Sequence, residues 1–152
     1  MGWRTFQKSI DIFLHIVQMF LDPLKTVFSF IRKQIRIKIM QKASEFFLGE
    51  HDFTSFSKMN PSIPDHVCNV KMSKFDIYDD RYVYTIRADR FLHNMVRRIV
   101  GSLVNIGHLQ LEPSIVQEWL KQKKSKQTII FPAPAQGLYL VDVLYPDCKI
   151  MY

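Results

Sequence analysis

Phe91-Leu92-His93-Asn94-Met95-Val96-Arg97-Arg98-Ile99-Val100-Gly101, continuing to Gly107, is the stretch on which the fold of this chain turns. Placed on a helix at about 100° per residue, its apolar side chains cover an arc of roughly 220°. Phe91, Met95, Ile99 and Ile106 fill one side of that arc, and Leu92, Val96, Val100, Leu103 and Val104 the other. A surface helix needs about half this width, so the spacing predicts a helix packed on two sides. Two arginines sit in it, and they are not equivalent. Arg98 falls midway round the polar face with Asn94 and Asn105, whereas Arg97 falls at the margin of the apolar arc, on one strip with His93 and Gly101. Glycine costs a helix about 1 kcal/mol relative to alanine, so Gly101 is expected to make room for something close to Arg97. A half-buried guanidinium demands an anion, either a carboxylate from elsewhere in the protein or a phosphate. Pattern alone leaves a second reading open, in which Arg97 is a structural ion-pair partner and Gly101 admits another helix.

Working outward from this helix, Val67–Ile77 and Arg81–Ala88 alternate like two strands of an antiparallel hairpin turning at Tyr78-Asp79-Asp80. The second strand feeds directly into the arginine helix and lays it against the sheet. Downstream, Glu112-Pro113-Ser114 starts another helix with Ile115, Val116, Trp119 and Leu120 inward. Lys121, Lys123, Lys124 and Lys126 follow, a run suited to phosphates but equally to a solvated loop. Pro132-Ala133-Pro134-Ala135-Gln136-Gly137 is a rigid, turn-rich loop, and Leu138–Tyr145 is almost continuously apolar, which predicts a central strand.

Upstream, Met40, Ala43, Phe46 and Phe47 make a helical stripe with Gly49 as its left-handed stop. Residues 49–57 read as a turn-rich loop anchored by Phe53 and Phe56, and His51 beside Asp52 reads as part of that turn. Ile10–Leu21 is expected to be a short apolar helix ended by Asp22-Pro23, and Leu24–Met40 a basic helix or strand covering a core. The architecture expected is α+β, an antiparallel sheet with helices packed on one face, preceded by an atypical apolar and basic segment. The partition is 1–38 for that segment and 39–152 for the domain.

The 152 residues carry a net charge of +7, which favours an anionic partner, nucleic acid or a membrane surface. No uncharged run reaches the roughly 18 to 20 residues that span a bilayer, so no transmembrane helix is expected. Cys68 and Cys148 are too few for a disulfide scaffold and lack zinc-site spacing; a reducing, cytoplasmic setting is the expectation. No metal-ligand cluster and no phosphate-binding glycine loop occurs.

Three blocks, Gly49-Glu50-His51-Asp52-Phe53-Thr54-Ser55-Phe56, Ala88–Gly101 and Pro134-Ala135-Gln136-Gly137-Leu138-Tyr139-Leu140, stand in an order and spacing that resembles the C-terminal half of tRNA pseudouridine synthase A. The resemblance covers about residues 39–147. It implies half of a two-lobed pseudouridine synthase fold, an isomerase that acts on uridines of the tRNA anticodon stem-loop without metal or organic cofactor, and a homodimer in the full-length family. Chemistry on a stacked uracil requires extruding the base into a pocket. By the same resemblance Arg97 matches the arginine that pairs with the essential aspartate, and Leu138 and Leu140 match the apolar wall beside the target base. His93, Arg98, Lys121, Lys123, Lys124 and Lys126 are the candidate RNA contacts on a basic surface.

The family's aspartate belongs to an Arg-Thr-Asp-x-Gly-Val-His motif, and these 152 residues contain none; Arg4-Thr5 is followed by Phe6. The family's base-stacking tyrosine also has no counterpart. The sequence therefore reads as the arginine side of a pocket without its aspartate, inactive alone. The alternatives are a non-catalytic basic RNA-binding module and a degenerate remnant whose apolar cleft face and sheet edge need cover from residues 1–38.

Overall fold

The computed structural model describes residues 14–21, 36–78, 81–124 and 130–144. In chain order the elements are β1 (Leu14–Leu21), α1 (Ile37–Glu45), β2 (Gly49–Asp52), β3 (Val67–Tyr78), β4 (Arg81–Ala88), α2 (Met95–Leu109), α3 (Ile115–Gln122) and β5 (Leu138–Leu144). Single 3-10 turns at Thr54–Phe56 and Ala135–Gly137 precede the loop to β3 and strand β5 respectively. The strands form one antiparallel sheet in the order β2-β3-β4-β1-β5. Leaving out β2 and α3, the path β1-α1-β3-β4-α2-β5 is the split βαβ arrangement, in which each helix carries the chain past a neighbouring strand. The α+β class expected from the pattern is the class observed.

The β3–β4 hairpin forms as the alternation predicts. Phe75 lies opposite Tyr84, Ser73 opposite Ile86 and Val70 opposite Ala88, and all six are buried. The register shifts between Val70 and Met72, so Lys71 is an extra residue that resets which side chains face the core. Inside this face a chain of hydrogen bonds joins the sheet to α1. The Ser73 hydroxyl donates to the Ser44 carbonyl at 2.6 Å and lies 2.7 Å from the Tyr84 hydroxyl. Burial pushes the Tyr84 phenol well above its ordinary pKa.

Helix α2 is buried nearly all round, as its wide arc requires: Met95, Val96, Ile99, Val100, Leu103, Val104 and Ile106 are all core residues. Its far end touches α1, where the Gly107 carbonyl accepts the Arg36 amide at 3.3 Å. The Phe47, Phe53 and Phe56 rings pack together under β2, with Phe47 and Phe56 edge to face at 5.1 Å. The Ser55 hydroxyl donates to the Trp119 carbonyl at 2.6 Å and accepts the Lys124 amide at 3.1 Å, which ties the Thr54–Phe56 turn to the end of α3.

Four expectations are corrected. Leu14–Leu21 is a strand, not the end of a helix, and it pairs on both sides: Val17 lies opposite Ile86 of β4 and Leu140 of β5. Its spacing of apolar residues fits either period, and the two open ladders decide for the strand. Residues 10–13 and 22–35 lie outside the described residues. The arginine helix begins at Met95, not Phe91, because Asn94 adopts a left-handed φ of 61° and breaks the pattern. Residues 49–52 form the edge strand β2 rather than a loop. Strand β5 is an edge strand, not a central one, with Tyr139, Leu140 and Val141 each more than half exposed.

The buried hydroxyls give an ordered prediction. Ser73→Ala strands the fully buried Tyr84 hydroxyl and removes the donor to Ser44, whereas Tyr84→Phe leaves the Ser73–Ser44 bond in place. Urea unfolding should show the serine change costing about 1–3 kcal/mol and the tyrosine-to-phenylalanine change about 1 kcal/mol or less.

Candidate functional site

At the N-terminal end of α2 the chain makes a tight turn before the helix begins. The Met95 amide donates to the Leu92 carbonyl at 3.1 Å, and the Lys58 amide donates to the His93 carbonyl at 3.0 Å. Asn94 holds the left-handed position that asparagine tolerates better than most residues. One turn on, Arg97 is half-buried, and two of its nitrogens are held. Its Nε donates to the Ala133 carbonyl at 2.7 Å, and its Nη1 donates to Asn94 Oδ1 at 3.1 Å. In return the Ala133 amide donates to the Arg97 carbonyl at 2.8 Å, so residue 133 is bonded to Arg97 through both backbone and side chain.

Gly101 explains how the segment comes so close. A Cβ at Gly101 would sit 1.9 Å from the Phe131 carbonyl oxygen and 3.3 Å from the Ala133 nitrogen. The room was therefore made for an extended backbone strap, Phe131–Ala133, and not for another helix. Neither Arg97 bond goes to an anion, and among the described residues no carboxylate forms an ion pair with it. The structural ion pair is not what holds this arginine.

Arg97 forms part of the wall of an open cleft of about 380 Å³. Phe91, Leu92, Met95 and Val96 line one side, Ala135, Leu138 and Leu140 the other, and His93 and Asn94 complete it with Arg97. The lining is mostly apolar, with a cation at one point. Leu138 is half-buried against the core and Leu140 is 63% exposed, so both candidate wall residues reach the cleft, one as floor and one as rim. His93 lies outside the helix yet lines the same cleft as Arg97, so the strip predicted from helical spacing comes together by a turn instead.

The other candidates lie elsewhere. Arg98 is half-buried and donates from Nη1 to the Ser57 carbonyl at 3.2 Å, and burial lowers its pKa. Lys121 and Lys123 line a second, more polar cleft of about 400 Å³ with Glu50, His51 and Asp52, and Lys124 is exposed beside it. Lys126 lies outside the described residues. Within that cleft His51 is a structural group, its Nε2 lying 2.6 Å from the Leu48 carbonyl. Asp52 Oδ1 accepts the Thr54 amide at 2.9 Å, and its Oδ2 is 3.7 Å from Lys123 Nζ. Burial works to raise the Asp52 carboxyl, but the hydroxyl and amide of Thr54, with Lys123 and His66 nearby, outweigh it and hold the pKa below its ordinary value.

The sequence pattern singled out Arg97 and Gly101, and the resemblance named Leu138 and Leu140; neither pointed to Asn94 and Ala133 as the groups that hold the guanidinium. An asparagine three residues before a half-buried arginine is a usable signal for the first. Nothing local signals the second, because the bond spans 36 residues.

Two changes test this geometry. Gly101→Ala should destabilise the protein by about 1–3 kcal/mol in urea unfolding, despite alanine's better helix propensity, because the strap must move. Asp52→Asn should lower Tm at neutral pH by a few degrees. A depressed carboxyl stabilises the fold above its unfolded pKa and stops doing so as pH falls through its folded value, so the two proteins should converge in acid, below about pH 4.

A family model described as tRNA pseudouridine synthase matches residues 43–146. The tRNA pseudouridine synthase A of Methanosphaera stadtmanae is 35% identical over 128 residues, which is 83% of this chain and 46% of that protein. Those of Colwellia psychrerythraea and Aliivibrio salmonicida are 38% and 39% identical over 112 and 108 residues, covering 72% and 71% of this chain and 42% and 41% of theirs. The chain thus spans less than half the length of these curated relatives. Since the match takes in the hairpin, the helix of Arg97 and the cleft strand carrying Leu138 and Leu140 together, the chain belongs to the tRNA pseudouridine synthase family.

Proposed function

We propose that this chain supplies the arginine side of a pocket that isomerises uridine to pseudouridine in the anticodon stem-loop of tRNA. The observation that carries the reading is Arg97 itself: a guanidinium set in the wall of a largely apolar cleft and bonded, among the described residues, to neutral acceptors. A flipped uracil is flat and largely apolar on its faces, and the cleft flanked by Leu138 and Leu140 suits it. Arg97 serves as the counter-charge of a catalytic carboxylate, keeping that group ionised and oriented against the nucleotide. The carboxylate comes from polypeptide beyond these 152 residues, since the family's aspartate motif is absent from them.

In this reading His93 in the first cleft, Lys121 and Lys123 in the second, the exposed Lys124, and Lys126 two residues further along the sequence contact phosphates. Arg98 contributes mainly by holding α2 to the Ser57 loop, adding its charge to the same field. The protein acts in the cytoplasm and as a homodimer, with no cofactor. No helix among the described residues is long and apolar enough to cross a membrane. Residues 1–38 precede the domain of residues 39–152 in this partition, and within them strand β1 pairs with both β4 and β5, so the domain's sheet includes that strand.

A second reading, a non-catalytic RNA-binding module, is favoured by the missing aspartate motif. One set of measurements separates the two. Alone, the chain should bind tRNA with an affinity that falls with salt at a log–log slope of about −0.7 to −0.9 per phosphate contacted, and should leave every uridine unmodified. Pseudouridine mapping should show turnover once the N-terminal part of the Colwellia psychrerythraea relative is co-expressed with it, and Arg97→Lys should abolish that turnover. Binding without any restored turnover supports the module. Turnover by the chain alone overturns the assignment of the carboxylate.

A further inference from the structure

The residues around Arg97 divide its guanidinium into a held side and an offered side. Nε is fixed by a backbone carbonyl 36 residues away, Nη1 by a side chain three residues away, and Nη2 has no partner among the described residues. A lone arginine at a cleft wall loses much of its rotamer freedom only if something costs it less than water to bond to. Here two acceptors do so from different directions, so the plane of the guanidinium is set before any anion arrives. We propose that Asn94, through Oδ1, and the Ala133 carbonyl, brought in by the close approach at Gly101, are positioning groups that aim Nη2 of Arg97 into the cleft. This rests on the reading of the cleft as the nucleotide pocket.

Three features support an evolved arrangement over an incidental contact. Asn94 occupies a left-handed backbone position at φ 61°, where glycine would serve the turn equally well but would offer no acceptor. The strap bonds to residue 97 in both directions, so Ala133 cannot drift without also breaking the hydrogen bond its amide donates to the Arg97 carbonyl. Both acceptors are neutral. A carboxylate in either place would have held the side chain more tightly but cancelled the charge that the cleft presents.

The test exploits that backbone position. Asn94→Gly keeps the left-handed turn without strain and deletes the acceptor, while Asn94→Asp keeps an acceptor. In the 15N-labelled chain the Arg97 Nε–H signal is identified by its loss in Arg97→Lys. Wild type should show slow solvent exchange at Nε and restricted rotation of the Nη groups. Asn94→Gly should lose the restricted Nη rotation while melting within about a degree or two of wild type, and Asn94→Asp should retain it. Affinity for an anticodon stem-loop RNA should fall about threefold to tenfold in Asn94→Gly, the size expected for one misdirected hydrogen bond. If Asn94→Gly leaves the Nη signals as in wild type, Asn94 is not a positioning residue and the proposal fails. If the signals change and RNA affinity does not, the clamp stands and the nucleotide reading of the cleft is the part that falls.

Discussion

The close approach of the Phe131–Ala133 strap to helix α2 is the constraint on which the rest of this site depends. At Gly101 the strap lies so near that a single methyl group would overlap the Phe131 carbonyl. That contact delivers the Ala133 amide and carbonyl to the carbonyl and Nε of Arg97. It also sets where the chain enters the Ala135–Gly137 turn, and so where Leu138 and Leu140 stand when β5 begins. One missing Cβ therefore fixes three things: the path of a loop, the plane of a guanidinium and the facing wall of the cleft.

Much of this was legible in the sequence, for identifiable reasons. The β3–β4 hairpin has a clean period of two, and α2 has an apolar arc too wide for a surface helix, so both were readable from local pattern. The margin position of Arg97 and the cost of a mid-helix glycine pointed to a close neighbour there. What local pattern could not resolve was which partner an element finds. Leu14–Leu21 fits a helix or a strand equally, and only the vacant ladders of β4 and β5 choose between them. Strand β5 reads as central because it is apolar on both faces, yet within this chain nothing covers its outer edge among the described residues.

The site shows the same division. Arg97, Leu138 and Leu140 could be named from spacing and resemblance, because each lies in a compact motif. The groups that hold Arg97 could not. Asn94 falls on the polar side of a helical wheel, and its role depends on the chain leaving helical geometry there. Ala133 has no functional side chain at all; it acts through backbone atoms, whose placement is a tertiary fact.

The neutrality of the clamp has an electrostatic consequence. Both anchors of Arg97 are uncharged, an amide oxygen and a peptide carbonyl, so they orient the cation without discharging it. Its walls are mostly apolar, Phe91, Leu92, Met95, Val96, Leu138 and Leu140, with His93 and Asn94 as the polar members beside the charge. An anion entering such a place interacts with Arg97 at an effective dielectric well below that of water, and more so once its own bulk closes the cleft. Among the described residues the half-buried guanidinium has no anionic partner, and the strap and the Asn94 turn are what hold it. A site organised in this way is poised for an anion and stable without one.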